Sequence, residues 1–181
     1  MIRVSLAAVL LALAGCESVG YLDPSGPGEA RTVGGLCPYP YRVLDIPVSN
    51  SDARIYVNAF RANEIAREPT IFLVVSDSPV FGYQLARSYA PVQKHPHTVS
   101  FPDGMAVQVT PGDGTSVSGT LMSVSDGQGG AHAVILRFPV PGHEVTQLSV
   151  AFPTIVVDGQ RVAIGRVNFK AATATIYGIN C

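Results

Sequence analysis

From residue 41 to the C-terminus, apolar and polar positions alternate in short runs separated by turn residues. Ile55, Val57 and Ala59 alternate with Arg54, Tyr56 and Asn58, which predicts a half-buried strand over 53–60. Residues 41–48 read as a strand as well, with Asn50-Ser51-Asp52 as the turn between the two. Ile71-Phe72-Leu73-Val74-Val75 is an unbroken apolar run, short enough for a central strand buried on both faces. After Asp103-Gly104, strands are predicted at 105–110, 117–124, 132–138, 145–152, 154–157, 161–170 and 173–179. The turns between them carry Gly, Pro and Asp, including an Asp158-Gly159 hairpin signal. One short helical stretch is expected, over 58–68, ended by Pro69.

About ten short strands without a repeat of fixed length point to an all-β fold. The expectation is a single antiparallel β-sandwich, immunoglobulin-like or similar, over residues 36–181. Composition agrees: Gly and Pro are abundant (18 and 14), and charged residues make up only 14% of the chain. Pro47, Pro139, Pro141 and Pro153 bound or interrupt strands, where proline suits edges and bulges.

The N-terminus follows a different pattern. Arg3 precedes an uninterrupted apolar run from Val4 to Leu13, the layout of a secretory leader and too short to span a bilayer. Leu13-Ala14-Gly15-Cys16 closes that run. This tetrapeptide resembles the lipobox of bacterial lipoproteins. The resemblance covers residues 1–16 alone and implies that 1–15 are cleaved and that Cys16 is acylated, holding the protein to the membrane. By the same resemblance Glu17, in place of Asp, makes the outer membrane the default destination.

Removal of Arg3 with the leader leaves 11 basic and 13 acidic residues, so nucleic acid is not an expected partner. Residues 17–35 are rich in Gly, Pro and Ser, with no apolar periodicity, and are expected to form a flexible tether over 16–35. Cys37 and Cys181 remain as an even pair in an exported chain, most simply a disulfide, the alternative being two separate thiols. A loop of that length gains roughly 5 kcal/mol in the chain-entropy model.

The sequence has no Gly-x-Ser-x-Gly elbow, no Ser-x-x-Lys, no His-Glu-x-x-His and no phosphate-binding glycine loop. His95-Pro96-His97 places two imidazoles on one side of an extended segment, which with a third ligand could hold Zn or Cu; a stiff polar loop is the plainer account. The Asp-Gly turns lack the ligand rhythm of a calcium loop, and no cofactor is implied. Residues 77–102 form the least regular stretch. Phe81, Tyr83, Arg87 and Tyr89 there are side-chain types that anchor interfaces, and they are the candidate partner-binding residues. The competing reading turns Phe81, Tyr83 and Leu85 into the core as an ordinary strand. The functional expectation is a non-catalytic, lipid-anchored envelope module that binds or scaffolds another envelope component. An inhibitor or immunity lipoprotein against a wall-degrading enzyme is the alternative, and a hydrolase or metal-dependent enzyme ranks third.

Overall fold

The computed structural model describes residues 16–33, 41–60, 70–76, 97–104, 106–125, 131–137 and 145–177. Among these residues every regular element is a strand. In chain order they are β1 (Cys16–Ser25), β2 (Glu29–Val33), β3 (Tyr41–Pro47), β4 (Arg54–Phe60), β5 (Thr70–Ser76), β6 (Val99–Ser100) and β7 (Ala106–Pro111). β8 (Val117–Ser125), β9 (Ala131–Arg137), β10 (Gln147–Ala151), β11 (Thr154–Val157), β12 (Gln160–Ala163) and β13 (Arg166–Tyr177) follow.

Ten of these strands form one antiparallel sheet in the order β1-β13-β10-β7-β8-β9-β5-β4-β3-β2, and β12-β11-β6 form a second, small one. The large sheet folds over, so that β1 at one edge lies against β3 and β4 near the other. The sandwich is therefore made by one sheet doubling back on itself. Leu22 of β1, Leu44 of β3, Ile55 and Val57 of β4, and Val167 and Phe169 of β13 meet in a single apolar core. The period of two explains which residues enter it: Val107 and Val109 point inward while Ala106 and Gln108 stay exposed. β5 lies between β4 and β9 and buries all of Ile71–Val75, as expected of its unbroken apolar run.

Because neighbouring strands alternate in direction, the fold has two ends. Cys16, Tyr177 and the turn 112–116 lie at one end, called lower here. The β1–β2 corner, the β3–β4 turn and the β11–β12 hairpin lie at the upper end. β10–β11 and β12–β13 are one long hairpin, with Phe152 N–H donating to Gly165 O at 3.0 Å across a bend. Beyond the bend it carries Ile155, Val157 and Ile164 into the core. Asp158 and Gly159 close its tip with φ of 48° and 80°, the paired left-handed conformation that tight hairpins require.

The structure corrects three expectations. Residues 16–25 and 29–33 are strands, not tether: β1 pairs with β13 from Cys16↔Tyr177 to Ser25↔Asn168, and β2 pairs with β3. Composition misled because Pro24-Ser25-Gly26-Pro27-Gly28 builds a tight corner. At Gly28 (φ 126°) a Cβ would come within 2.5 Å of the Asp45 carbonyl oxygen, so only glycine fits. Asn58–Phe60 belong to β4 rather than to a helical turn, and 61–69 lie outside the described residues. The span 161–170 is broken at Ile164–Gly165, and β13 then runs unbroken to Tyr177.

Candidate functional site

Among the described residues three polar side chains are deeply buried: Asp45, Asn58 and His97. Two of them anchor clusters that the chain assembles from distant segments.

The first cluster crosses β2, β3 and β4. Asp45 sits on β3, on the face turned away from the core, between Tyr56 and Glu29 in register. Its Oδ1 accepts from Arg54 Nε, and its Oδ2 lies 3.2 Å from Arg31 Nε. Arg31 also donates to Glu29 Oε2 at 2.8 Å. A carboxylate 1% exposed is costly unless paired, and two guanidiniums supply the pairing. The Asp45 carboxylate in turn holds the Arg54 guanidinium protonated above its already high range, against the pull of burial.

The second cluster lies at the upper end. His97, just before β6, donates from Nδ1 to Asp158 Oδ2 at 2.7 Å. Asp158 Oδ1 accepts from the Thr98 N–H at 2.8 Å and from the Thr98 hydroxyl at 3.2 Å, while the Asp158 N–H donates to Thr98 O at 3.0 Å. Burial works to raise the Asp158 carboxyl, but the Thr98 N–H, His97 and the Thr98 hydroxyl together hold it below the usual carboxylate range. With Asp158 ionised, the proton sits on Nδ1. The other ring nitrogen, Nε2, faces Asp52 of the β3–β4 turn at 4.0 Å and is shut off from solvent. His97 thus joins the start of β6, the tip of the long hairpin and the β3–β4 turn.

A histidine oriented by a carboxylate is half of a hydrolytic triad. Here the free nitrogen is enclosed and faces a carboxylate, so it has no path to a substrate and the pair works as a fastening. Among the described residues no group of three or more His, Cys, Asp or Glu could hold a metal. His97 is held by the Asp158 carboxylate, while its sequence neighbour His95 lies outside the described residues. Phe81, Tyr83, Arg87 and Tyr89, and both cysteines of the expected bridge, Cys37 and Cys181, lie outside them as well. Cys16 is the first residue of β1.

Sequence reasoning missed Asp45, Asp52 and Asp158 as partners. The one available signal was alternation in Glu29-Ala30-Arg31-Thr32-Val33, which sets Glu29 and Arg31 on the same face of an extended segment. No family model matches the sequence, and no curated protein and no solved structure matches the chain.

Proposed function

We propose that the chain is a lipid-anchored, non-catalytic module of the bacterial cell envelope that binds or scaffolds another envelope component, with the outer membrane as its station. The observation that carries this reading is the leader Val4–Leu13 followed by Leu13-Ala14-Gly15-Cys16. Two structural features support it. The buried ionisable groups described above are spent on holding strands together, and β1 begins at the residue that would bear the lipid. Cys37 and Cys181 form the disulfide expected of an exported domain in this reading.

Replacing Cys16 by Ser should release the protein from membranes; unchanged membrane association would overturn the anchor. Crosslinking in living cells from probes at Phe81, Tyr83 and Tyr89 should then yield one dominant envelope partner. A wall-degrading hydrolase as that partner would make the module an inhibitor rather than a scaffold. Thiol reagents should leave Cys37 and Cys181 unlabelled without reductant.

A further inference from the structure

We propose that the outward face of β8, β7, β10, β13 and β1 is a docking surface for the carboxylate-bearing glycan polymer of the cell wall, with Arg166 and Lys170 pairing with its carboxylates. The inference rests on the envelope reading and deepens it by naming the chemistry of the component bound.

The two halves of the large sheet differ in the face they turn away from the core. On β3, β4 and β5 that face is closed: Val43, Tyr56, Phe72 and Val74 are buried. On the other half it is open, and Gln108, Ser118, Gln147, Arg166, Asn168 and Lys170 are exposed. Period-two alternation puts them there, because Val109, Leu148, Val167 and Phe169 between them point into the core. Register then lines them up across the strands. Ser25, Asn168, Ser149 and Thr110 form one row, and Arg166, Ala151, Gln108 and Ser118 the next. Five strands about 4.8 Å apart make the face roughly 19 Å wide.

Its side chains are ordered in advance. Arg166 Nη1 donates to Ser149 Oγ at 3.3 Å, and Ser149 Oγ donates to Asn168 Oδ1 at 2.7 Å. Gln108 Nε2 donates to Ser118 Oγ at 3.2 Å while its Oε1 accepts from Ser116 Oγ at 3.3 Å. Groups held this way lose little freedom when a ligand arrives.

Charge says what kind of ligand. Arg31, Arg42, Arg54 and Arg161 each pair with a carboxylate. Among the described residues Arg166 and Lys170 have no such partner, and both lie on this face, four residues or roughly 13 Å apart on β13. Lys170 faces Asp23 across the strands, but Arg42 already engages Asp23 at 2.9 Å. β7, β8, β10 and β13 contain no Asp or Glu. Two unmatched cations call for an anion, and carboxylates take the strongest hydrogen bonds from them. The face lacks the aromatic centre on which protein interfaces depend; Ala151 is the apolar side chain in its middle. Hydroxyls and amides around two cations instead match a hydrated polymer that carries both hydroxyls and carboxylates. Within the envelope reading the wall polymer, sugars bearing carboxylated peptide stems, has that chemistry.

The test is sedimentation of the full-length lipidated protein, in detergent, with purified wall sacculi. The expected result is pelleting that weakens as salt rises. Arg166→Gln combined with Lys170→Gln should lower the bound fraction at least about fivefold, and Arg161→Gln, an exposed cation on β12, should leave it unchanged. The double variant should melt with the parent, since both side chains are exposed. Sacculi with amidated carboxylates test the unaltered protein and should lose binding to the same extent. Equal pelleting of parent and double variant, equal pelleting with native and amidated sacculi, or no pelleting of the parent at low salt would each overturn the docking face. Pelleting that survives amidation but is abolished by inorganic phosphate would assign the face to phosphate-bearing headgroups and overturn it as well. Release of the Cys16→Ser protein from membranes reports on the anchor separately, so a lipid-anchored protein that ignores sacculi sinks the docking face alone.

Discussion

Replacing Leu22 by Ala tests whether the segment after Cys16 belongs to the fold. Leu22 is only 1% exposed and packs in the common core with Leu44 and Phe169. Truncating a leucine at such a site costs about 2–5 kcal/mol, the lost transfer energy plus the cavity left behind. Domains of this size hold roughly 5–15 kcal/mol in total, so the loss is a large share. At about 2–4 °C per kcal/mol it lowers the melting midpoint by roughly 5–20 °C. The assay is thermal and urea unfolding followed by circular dichroism, on the Cys16→Ser background. Asp23→Ala is the matched control. It removes a pair with Arg42 at 2.9 Å in which both side chains are partly exposed, worth about 0–1 kcal/mol. Leu22→Met keeps the volume and should cost under about 1.5 kcal/mol. A Leu22→Ala midpoint equal to the parent's would mean that residues 16–25 form a tether after all, and the sheet would end at β13.

Other expectations follow from the corner and the two polar clusters. Gly28→Ala forces a Cβ against the Asp45 carbonyl at positive φ and should cost at least about 1–3 kcal/mol in the same unfolding assay; an unaltered midpoint would contradict the corner. Asp45→Ala strips the shared acceptor from Arg31 and Arg54, both of which can still reach water, so a loss of about 1–3 kcal/mol is expected, well above that of Glu29→Ala. His97→Ala should speed amide exchange in β6, β11 and β12 while sparing β4 and β5; uniform acceleration would argue against a local fastening. The Asp158 carboxyl titrates lower in the folded chain than in the unfolded one. Its contribution is thus complete above the ordinary aspartate range of about 4 and is lost as pH falls through the folded value. Asp158→Asn should lower stability at neutral pH and flatten the decline in acid; an identical acid slope would refute that role.

Most of the sheet was legible because its signals are local. Strands β3, β4, β5 and β7 to β11 fall on segments where alternation or an unbroken apolar run is visible within eight residues, and Asp158-Gly159 closes the hairpin its sequence announces. The segment 16–33 was illegible because proline and glycine serve two opposite purposes. In a linker they prevent structure; at Gly28 glycine lets the backbone pass against Asp45 where any other residue would collide. Pro24 misled in the same way. It lies on β1, an edge strand that needs no outward donor.

The polar clusters were hidden for a different reason. Asp158 lies 61 positions from His97 in sequence, and Asp52 lies 45 before it. Such contacts come from the order of strands in the sheet, which period-two alternation leaves open. β1 illustrates the same gap on a larger scale, since Ser25 reaches the carbonyl of Asn168 across 143 residues. That distance also has a mechanical consequence. Under the proposed acylation of Cys16, a pull on that residue would load β1 along its own axis, and the β1–β13 ladder would resist in shear, many hydrogen bonds together, rather than opening one at a time. β1, which begins at Cys16, pairs with β13, and through β13 such a pull would spread to β10 and into the core that Leu22 shares with Phe169.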